Sequence, residues 1–587
     1  MKRSLFAELR RRNVFKAGAA YLALGWVVVQ ITATLVPALN LPPSLVPIVT
    51  WIGVIGFPFV MMFSWVYELT PEGLKRESEV DRSDSITQVT ARRLDFITIG
   101  LLAVAIGFTA FDRFVPRRSG SATPIVAAAP VTNDSSIAVL PFVDMSQGKD
   151  QEYFSDGLSE ELLNLLARVP QLRVIARTSS FAFKGKEIGI AEIAKTLNVA
   201  NVLEGSVRKS GDTLRITAQL IRTADSSHLW SETYDRHMTD VFKVQDEIAG
   251  AVVAQLKVKL LPEQQVINAH RTTDTEAYNQ YLLGNQYFNR NSTEGYQLAV
   301  FAYQKAVALD PNYAAAYAGL ATAEFYASDF SATAEESTLV RQRAQAAVDK
   351  AIALAPDLAD GYIARGLYRC SNLWDWSGAQ ADFDKALALE PGSSLAHRRI
   401  GLLFQSLGRL PEAIAATRKA IELDPLSSYA WGNLGAIYLS NPDQFREARE
   451  ALDRALSINP EASLSLHYLS VLELLEGHAQ VALDQSRRFG EVWRQMGVAM
   501  AEHSLGHVRE SQHALDELIA KYAHDWAFQI AEVYAWRGEP DKAFEWLERA
   551  YVQRDAGFAV FKSDPPLKSL WSDARFAAML KKVGLPP

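Results

Sequence analysis

In the C-terminal half of the chain a proline closes an Ala-rich helical pattern at Pro311, Pro356, Pro391, Pro425 and Pro460, at spacings of 45, 35, 34 and 35 residues. No other feature limits the fold so tightly. Proline lacks the N–H that an interior helical position donates, so each one marks a helix end. A period near 34 holds two helices and two turns. One such pair cannot bury its apolar face alone, so several must stack. Small residues at fixed positions (Gly366, Ala379, Ala386; Gly401, Ala413, Ala420; Gly435, Ala448, Ala455) let paired helices approach closely. Large ones (Phe383, Phe404, Trp431, Leu452) fill the space to the next pair.

Trp431, Leu434, Gly435, Tyr438, Ala448, Leu452, Ala455 and Pro460 follow the tetratricopeptide repeat (TPR) signature, as do Gly284, Tyr287, Ala299, Tyr303, Ala306 and Pro311. Between Pro311 and Pro356 the pattern fits with about eleven extra residues between the helices. Seven or eight repeats are expected over 276–552, with a C-terminal cap over 553–587. Such an array resembles a protein-interaction scaffold. The resemblance implies a groove, lined by first helices, that grips an extended peptide or a partner helix. First-helix residues expected to point inward are Asn279, Asn285, Arg365, Arg369, Arg398, Arg399 and Asn433. Cys370 reads as a small packing residue.

The N-terminal region is different. No charged residue occurs between Lys16 and Glu68, a stretch of about 76 Å as helix against a hydrocarbon core of about 30 Å. Pro37, Asn40, Pro42 and Pro43 mark a turn within it. The pattern predicts membrane spans at 17–37 and 44–67, and a third at 96–111, so that residues 1–113 form a three-span module meeting the lipid bilayer through 17–111. Basic residues before the first span and after the second place the N-terminus in the cytoplasm. Three spans then put the C-terminal domains in the periplasm of a bacterial inner-membrane protein. If the third segment does not cross, those domains are cytoplasmic.

Residues 114–134, rich in Ala, Pro, Ser and Thr, read as a linker. From Ser135 to Pro262 short apolar runs alternate with helical periodicity in the order β-α-β-α-β-β-β-α, predicting a sheet with helices on one side. Ser210-Gly211-Asp212 is a hairpin signal. The segments Ser136-Ile137-Ala138-Val139-Leu140-Pro141-Phe142, Phe154-Ser155-Asp156-Gly157-Leu158, Leu203-Glu204-Gly205-Ser206-Val207-Arg208 and Leu229–Arg236 resemble the TolB amino-terminal-like domain. Phe6-Ala7-Glu8-Leu9 and Glu68–Leu74 resemble a three-span module that precedes that domain in proteins often labelled adenylate cyclases. The family implies an accessory or sensing role. The expected fold class is multidomain: N-terminal transmembrane helices, an α/β (TolB N-terminal-like) domain over 135–262, and a C-terminal all-α TPR solenoid.

A net charge of −7 argues against a nucleic-acid surface. A single cysteine excludes an intramolecular disulfide and a multi-cysteine metal site. The sequence contains no GxxxxGK[ST], HExxH or GxSxG motif, and no stretch remains for a cyclase domain. Glu160-Glu161 reads as a solvated helix face, and Asp235 and His237 point to opposite faces of a strand. His503, His507 and His513 flank Gly506, which marks a turn. No cofactor, metal or catalytic residue is assigned. The expected function is a scaffold that presents the TPR array and the α/β domain to a protein partner. The alternative is a sensory or accessory subunit of a cyclase-related signalling system that binds a ligand in the α/β domain.

Overall fold

The computed structural model describes residues 45–70, 73–76, 135–256, 272–328 and 334–586, with isolated positions between 18 and 32. The chain divides into two compact units, 1–127 and 128–587. In the first, helix Leu45–Val66 contains Pro58 and runs into an antiparallel pair, Tyr67–Thr70 with Gly73–Arg76. The Tyr21 hydroxyl donates to the Gly53 carbonyl at 3.1 Å, and its ring lies 6.1 Å from that of Phe57.

No helix among the described residues is long and apolar enough to cross a membrane. This corrects the expected fold class, which loses its transmembrane part, and with it the multi-pass inner-membrane placement, the periplasmic C-terminal domains and the bilayer contact through 17–111. The third expected span, 96–111, and the linker 114–134 lie outside the described residues. Lack of charge signals burial without saying in what. Here Tyr21 meets Gly53 and Phe57, so part of the apolar run packs against itself.

In the second unit a mixed six-stranded sheet has the order 173–174, 136–139, 201–210, 213–222, 228–237, with 143–144 also pairing with 201–210. Pairings among Ser136–Val139, Arg173–Val174 and Asn201–Ser210 are parallel, and the last three strands form an antiparallel meander. Gly211 turns the first hairpin with φ +59°, a conformation that suits glycine. Alternation along the strands decides which helix goes where. Ile137, Val139, Leu203 and Val207 face helices Glu152–Ala167 and Val241–Gln255. Ala138, Leu140 and Val202 face Ile193 and Leu197 of helix Ile190–Leu197. Helices therefore cover both faces, which corrects the expectation of one.

Residues 275–553 form eight antiparallel helix pairs among the described residues, opening with Thr275–Phe288 and Thr293–Leu309 and closing with Ala527–Trp536 and Pro540–Gln553. Two residues after each of Pro391 and Pro425, Ser393 and Ser427 accept from the amides of Ala396 and Ala430 and so cap the next first helix. The proline thus ends one helix and the serine starts the next. A Cβ on Gly366 would stand 2.5 Å from the Phe383 ring, so the aromatic residue of the second helix sits directly on the first. The extra residues of the second pair lengthen its helices, Ala314–Ser328 and Ala334–Leu354.

Candidate protein-binding surface

The array is closed at both ends by the chain itself. At its start, helix Glu152–Ala167 lies on helix Thr275–Phe288. Phe154 and Phe242 meet Tyr278 edge-on with ring centroids 6.5 and 4.7 Å apart, and the Gln245 amide donates to the Tyr278 hydroxyl at 2.8 Å. A Cβ on Gly157 would stand 2.5 Å from Leu282, so the two helices touch where glycine leaves room. One apolar core runs from the sheet into the first repeats. The α/β domain thereby caps the terminal repeat, whose outer face would otherwise be bare.

From there the α/β domain follows the turns between repeats. Arg168 pairs with Glu390 at 3.3 Å, the Ala176 amide donates to the Leu423 carbonyl at 2.8 Å, and the Ser179 amide donates to Asp424 at 3.0 Å. The Leu426 amide donates to the Ser179 hydroxyl at 2.8 Å. Glu160 is held by Arg177 at 2.9 Å. A cavity of about 60 Å³ in this seam is lined by residues that include Glu161, Arg168, Tyr281, Asp360 and Glu390. Burial raises the carboxyls of Glu160 and Glu390, against the opposing pull of Arg177 and Arg168. The Glu160-Glu161 pair thus lies in an interdomain seam instead of on a solvated face.

At the other end, residues 556–586 pack on helix Ala527–Trp536 and reach back to the third and fourth repeats. Phe558 meets Trp374 and Phe528 at 5.2 and 5.5 Å, the Trp376 indole donates to the Val583 carbonyl at 2.8 Å, and Lys562 donates to the Pro586 carbonyl at 3.0 Å. Glu532 and Asp564 are buried, share a side-chain hydrogen bond, and each keeps one oxygen without a partner. Burial raises both, and the neighbouring Asp564 raises Glu532 further. Buried His467 lies against Trp493, with ring centroids 4.5 Å apart and planes tilted by 36°, and burial lowers it to about 3.

The seven residues expected to line the groove are mostly engaged within the chain. Arg365 forks onto Asp382 (2.6–3.2 Å), and Arg369 joins the same carboxylate at 2.8 Å while donating to the Gly378 carbonyl. Asn285 accepts from the Tyr303 hydroxyl at 2.6 Å. Arg399 donates to the Tyr326 hydroxyl. Burial pulls Arg398 down to about 10, with Arg399 adding to the effect. Asn279 reaches Glu276 at 3.4 Å, and Asn433 is buried. The structure thus joins Arg365 and Arg369 through Asp382, and sets Arg398 beside Arg399. Cys370 is pushed up to about 12 by burial, which leaves its thiol protonated.

Glu473, Glu476 and His478 bring three metal-type ligand atoms within 4.8 Å, but Arg449 already bridges both carboxylates. The arrangement recurs one repeat later. The His478 and His507 rings meet Glu473 and Glu502 at 3.0 and 2.7 Å, while their amides donate to the carbonyls of the same glutamates. The recurrence marks a lock on the turn between paired helices. Five-residue Glu-to-His spacing around Gly477 and Gly506 was a signal available in the sequence.

Residues 133–251 match the family of the HilA/YgeH-like transcriptional regulator, second domain. Tetratricopeptide families match 375–428 and 499–557, and 416–450. The likeness to the TolB amino-terminal domain is not shown. A protein of Rhizobium meliloti (strain 1021) named "Putative adenylate cyclase 3" is 37% identical over 241 residues, covering 40% of this chain and 41% of that protein. The chain thus spans about two-fifths of the length of the curated relative it matches. Among solved structures, a thermophilic TPR protein of Thermus thermophilus, TTC0263, is similar at 20% identity over 33% of this chain and 98% of its own, with a TM-score of 0.29. YrrB, a TPR protein with an unusual peptide-binding site, is similar at 24% identity over 32% and 90%, with a TM-score of 0.23. The pilus biogenesis factor PilW is similar at 20% over 41% and 98%, with a TM-score of 0.31. The chain carries tetratricopeptide repeats, and its C-terminal part is an all-α TPR solenoid of the protein-interaction type.

Proposed function

We propose that this chain is a protein-binding scaffold in which the α/β domain and the TPR solenoid present one composite surface to a partner. The observation that carries this reading is the continuous core from the sheet into the first repeats, reinforced by the Ser179–Asp424 and Ala176–Leu423 contacts. Partners are protein or peptide. Asn279, Asn285, Arg365, Arg369, Arg398, Arg399 and Asn433 serve as contacts only where a partner displaces an internal bond. No catalytic step belongs to this reading: Glu160 and Glu390 are held by Arg177 and Arg168, and Glu532 and Asp564 are buried.

A second reading is an accessory or sensory subunit of a signalling system, with the α/β domain, TolB-like in its motifs, as the ligand-binding part. The partial likeness to a putative adenylate cyclase favours it. Affinity capture with the full chain followed by cross-link mapping separates the two. A specific protein cross-linked within 275–553 supports the scaffold. Ligand-induced protection confined to 135–256, with no protein cross-linked to the repeats, overturns it in favour of the second reading.

A further inference from the structure

The two edges of the six-stranded sheet differ. At strand Arg173–Val174 the repeats close the edge: Arg173 donates to the Glu422 carbonyl at 3.2 Å, and the Ala176 amide donates to the Leu423 carbonyl at 2.8 Å. Strand His228–His237 forms the opposite edge, ten residues long and without a proline. Which of its backbone groups face outward follows from the hairpin before it. Ser210 and Thr213 close a two-residue turn, and such a pair exchanges both hydrogen bonds. In strand Thr213–Arg222 the backbones of Leu214, Ile216, Ala218 and Leu220 then bond the other way, to Arg236, Tyr234, Glu232 and Trp230. That leaves the N–H and C=O groups of Ser231, Thr233, Asp235 and His237 directed away from the sheet. Among the described residues no backbone group outside the sheet bonds to them, and the Arg236 guanidinium donates to the Asp235 carbonyl at 3.0 Å.

An unpaired strand edge is a template for another strand, and the side chains here say which one. Laid antiparallel against itself with Tyr234 on the axis, the strand sets Glu232 opposite Arg236, Thr233 opposite Asp235 and Ser231 opposite His237, each twice by symmetry. In this register outward backbone groups meet outward backbone groups, so the ladder closes. Arg236, which reaches Glu247 at 3.2 Å within its own chain, gains a second carboxylate. An axis at Glu232 or Asp235 would set like charges face to face, an unfavourable pairing. An axis at Thr233 or Ser231 would draw the bulged Leu229 into the ladder. We propose that strand His228–His237 pairs with the same strand of a second copy about a two-fold axis at Tyr234, joining two α/β domains through one continuous sheet. The pairing is independent of what the repeats bind, and it sets two solenoids in one assembly.

The test is sedimentation equilibrium of the full chain over about 1 to 100 μM, in which a reversible dimer should form. Thr233→Pro should abolish the dimer, because it removes an outward N–H that the chain's own sheet does not use. Glu232→Arg and Arg236→Glu should each weaken it by about tenfold or more, since each sets like charges opposite one another twice, and the double swap should restore it. Unchanged circular dichroism shows that the fold is kept. Mixing Thr233→Cys copies with Asp235→Cys copies should give a disulfide-linked dimer on mild oxidation, because opposed residues of a ladder lie within disulfide reach, and either variant alone should link far less. A chain that stays monomeric at about 100 μM, a dimer indifferent to Thr233→Pro, or a double swap that fails to restore pairing overturns the proposal.

Discussion

The two closures of the solenoid both bury apolar side chains but differ in what they add to that burial. The α/β domain is held along the inter-repeat turns by directed contacts, Arg168 to Glu390, Ser179 to Asp424 and Ala176 to Leu423. The C-terminal segment is held by rings, Phe558, Phe561 and Phe576 among Trp374 and Phe528, around one isolated carboxyl pair. Apolar burial is strong and undirected, whereas hydrogen bonds are weaker and specify geometry. Beyond the apolar core it shares with the first repeats, the α/β domain is therefore positioned by directed contacts, whereas the C-terminal segment is held by apolar burial.

The sharpest challenge to that division is Phe558→Ala. Phe558 is fully buried among Trp374, Phe528 and Phe561, and its loss should cost about 3–5 kcal/mol in urea unfolding. A cost near that of a surface change would mean the C-terminal closure is loose. At the other closure, Asp424→Ala removes the acceptor of two Ser179 bonds and should cost about 1–3 kcal/mol. If it costs as much as Phe558→Ala, the contrast fails.

The two closures should also differ in their response to pH. Glu532 and Asp564 have raised carboxyls in the folded state, Asp564 up to about 7. The folded chain then holds protons that the unfolded chain has released. The share of Asp564 is fully present below the ordinary carboxylate value of about 4 and is lost as pH rises through about 7, and that of Glu532, raised well above the ordinary range, is lost in the same direction. Glu532→Gln should flatten that loss in Tm measured from pH 5 to 8. His467 acts in the opposite sense. Its folded value near 3 lies below the ordinary histidine value of about 6.5, so its contribution is lost as pH falls between the two. The smallest effect belongs to the Arg215–Asp235 pair on the meander, exposed on both sides. Arg215→Ala should leave Tm unchanged within error.

Much of the solenoid was legible because its signals are local. The prolines and the small residues recur at the repeat period, and each acts within one or two turns of itself. Helix Ile190–Leu197 and strand Thr213–Arg222 were likewise readable from apolar spacing and the Gly211 turn. The start of helix Glu152–Ala167 was not. Ser155 and Asp156, natural capping residues, lie inside it and are buried, with Asp156 held by Lys184 at 2.6 Å. The seam is illegible for a simpler reason: Ser179 and Asp424 stand 245 residues apart, and nothing local pairs them. Arg365, Arg398 and Arg399 lie in first helices, but the joining of Arg365 and Arg369 through Asp382 could not be read without the geometry. The apolar N-terminal run misled because hydropathy reports burial and leaves the surroundings open.

The claim on which the rest depends is that the α/β domain is docked on the repeats as part of one body. Native-state hydrogen exchange at the Ala176 and Ser179 amides tests it directly, since both donate across the seam. Both should be strongly protected in the full chain, and Asp424→Ala should lower protection at Ser179 first. Exchange of both amides at the rates of open chain, unaffected by Asp424→Ala, would contradict the docked arrangement.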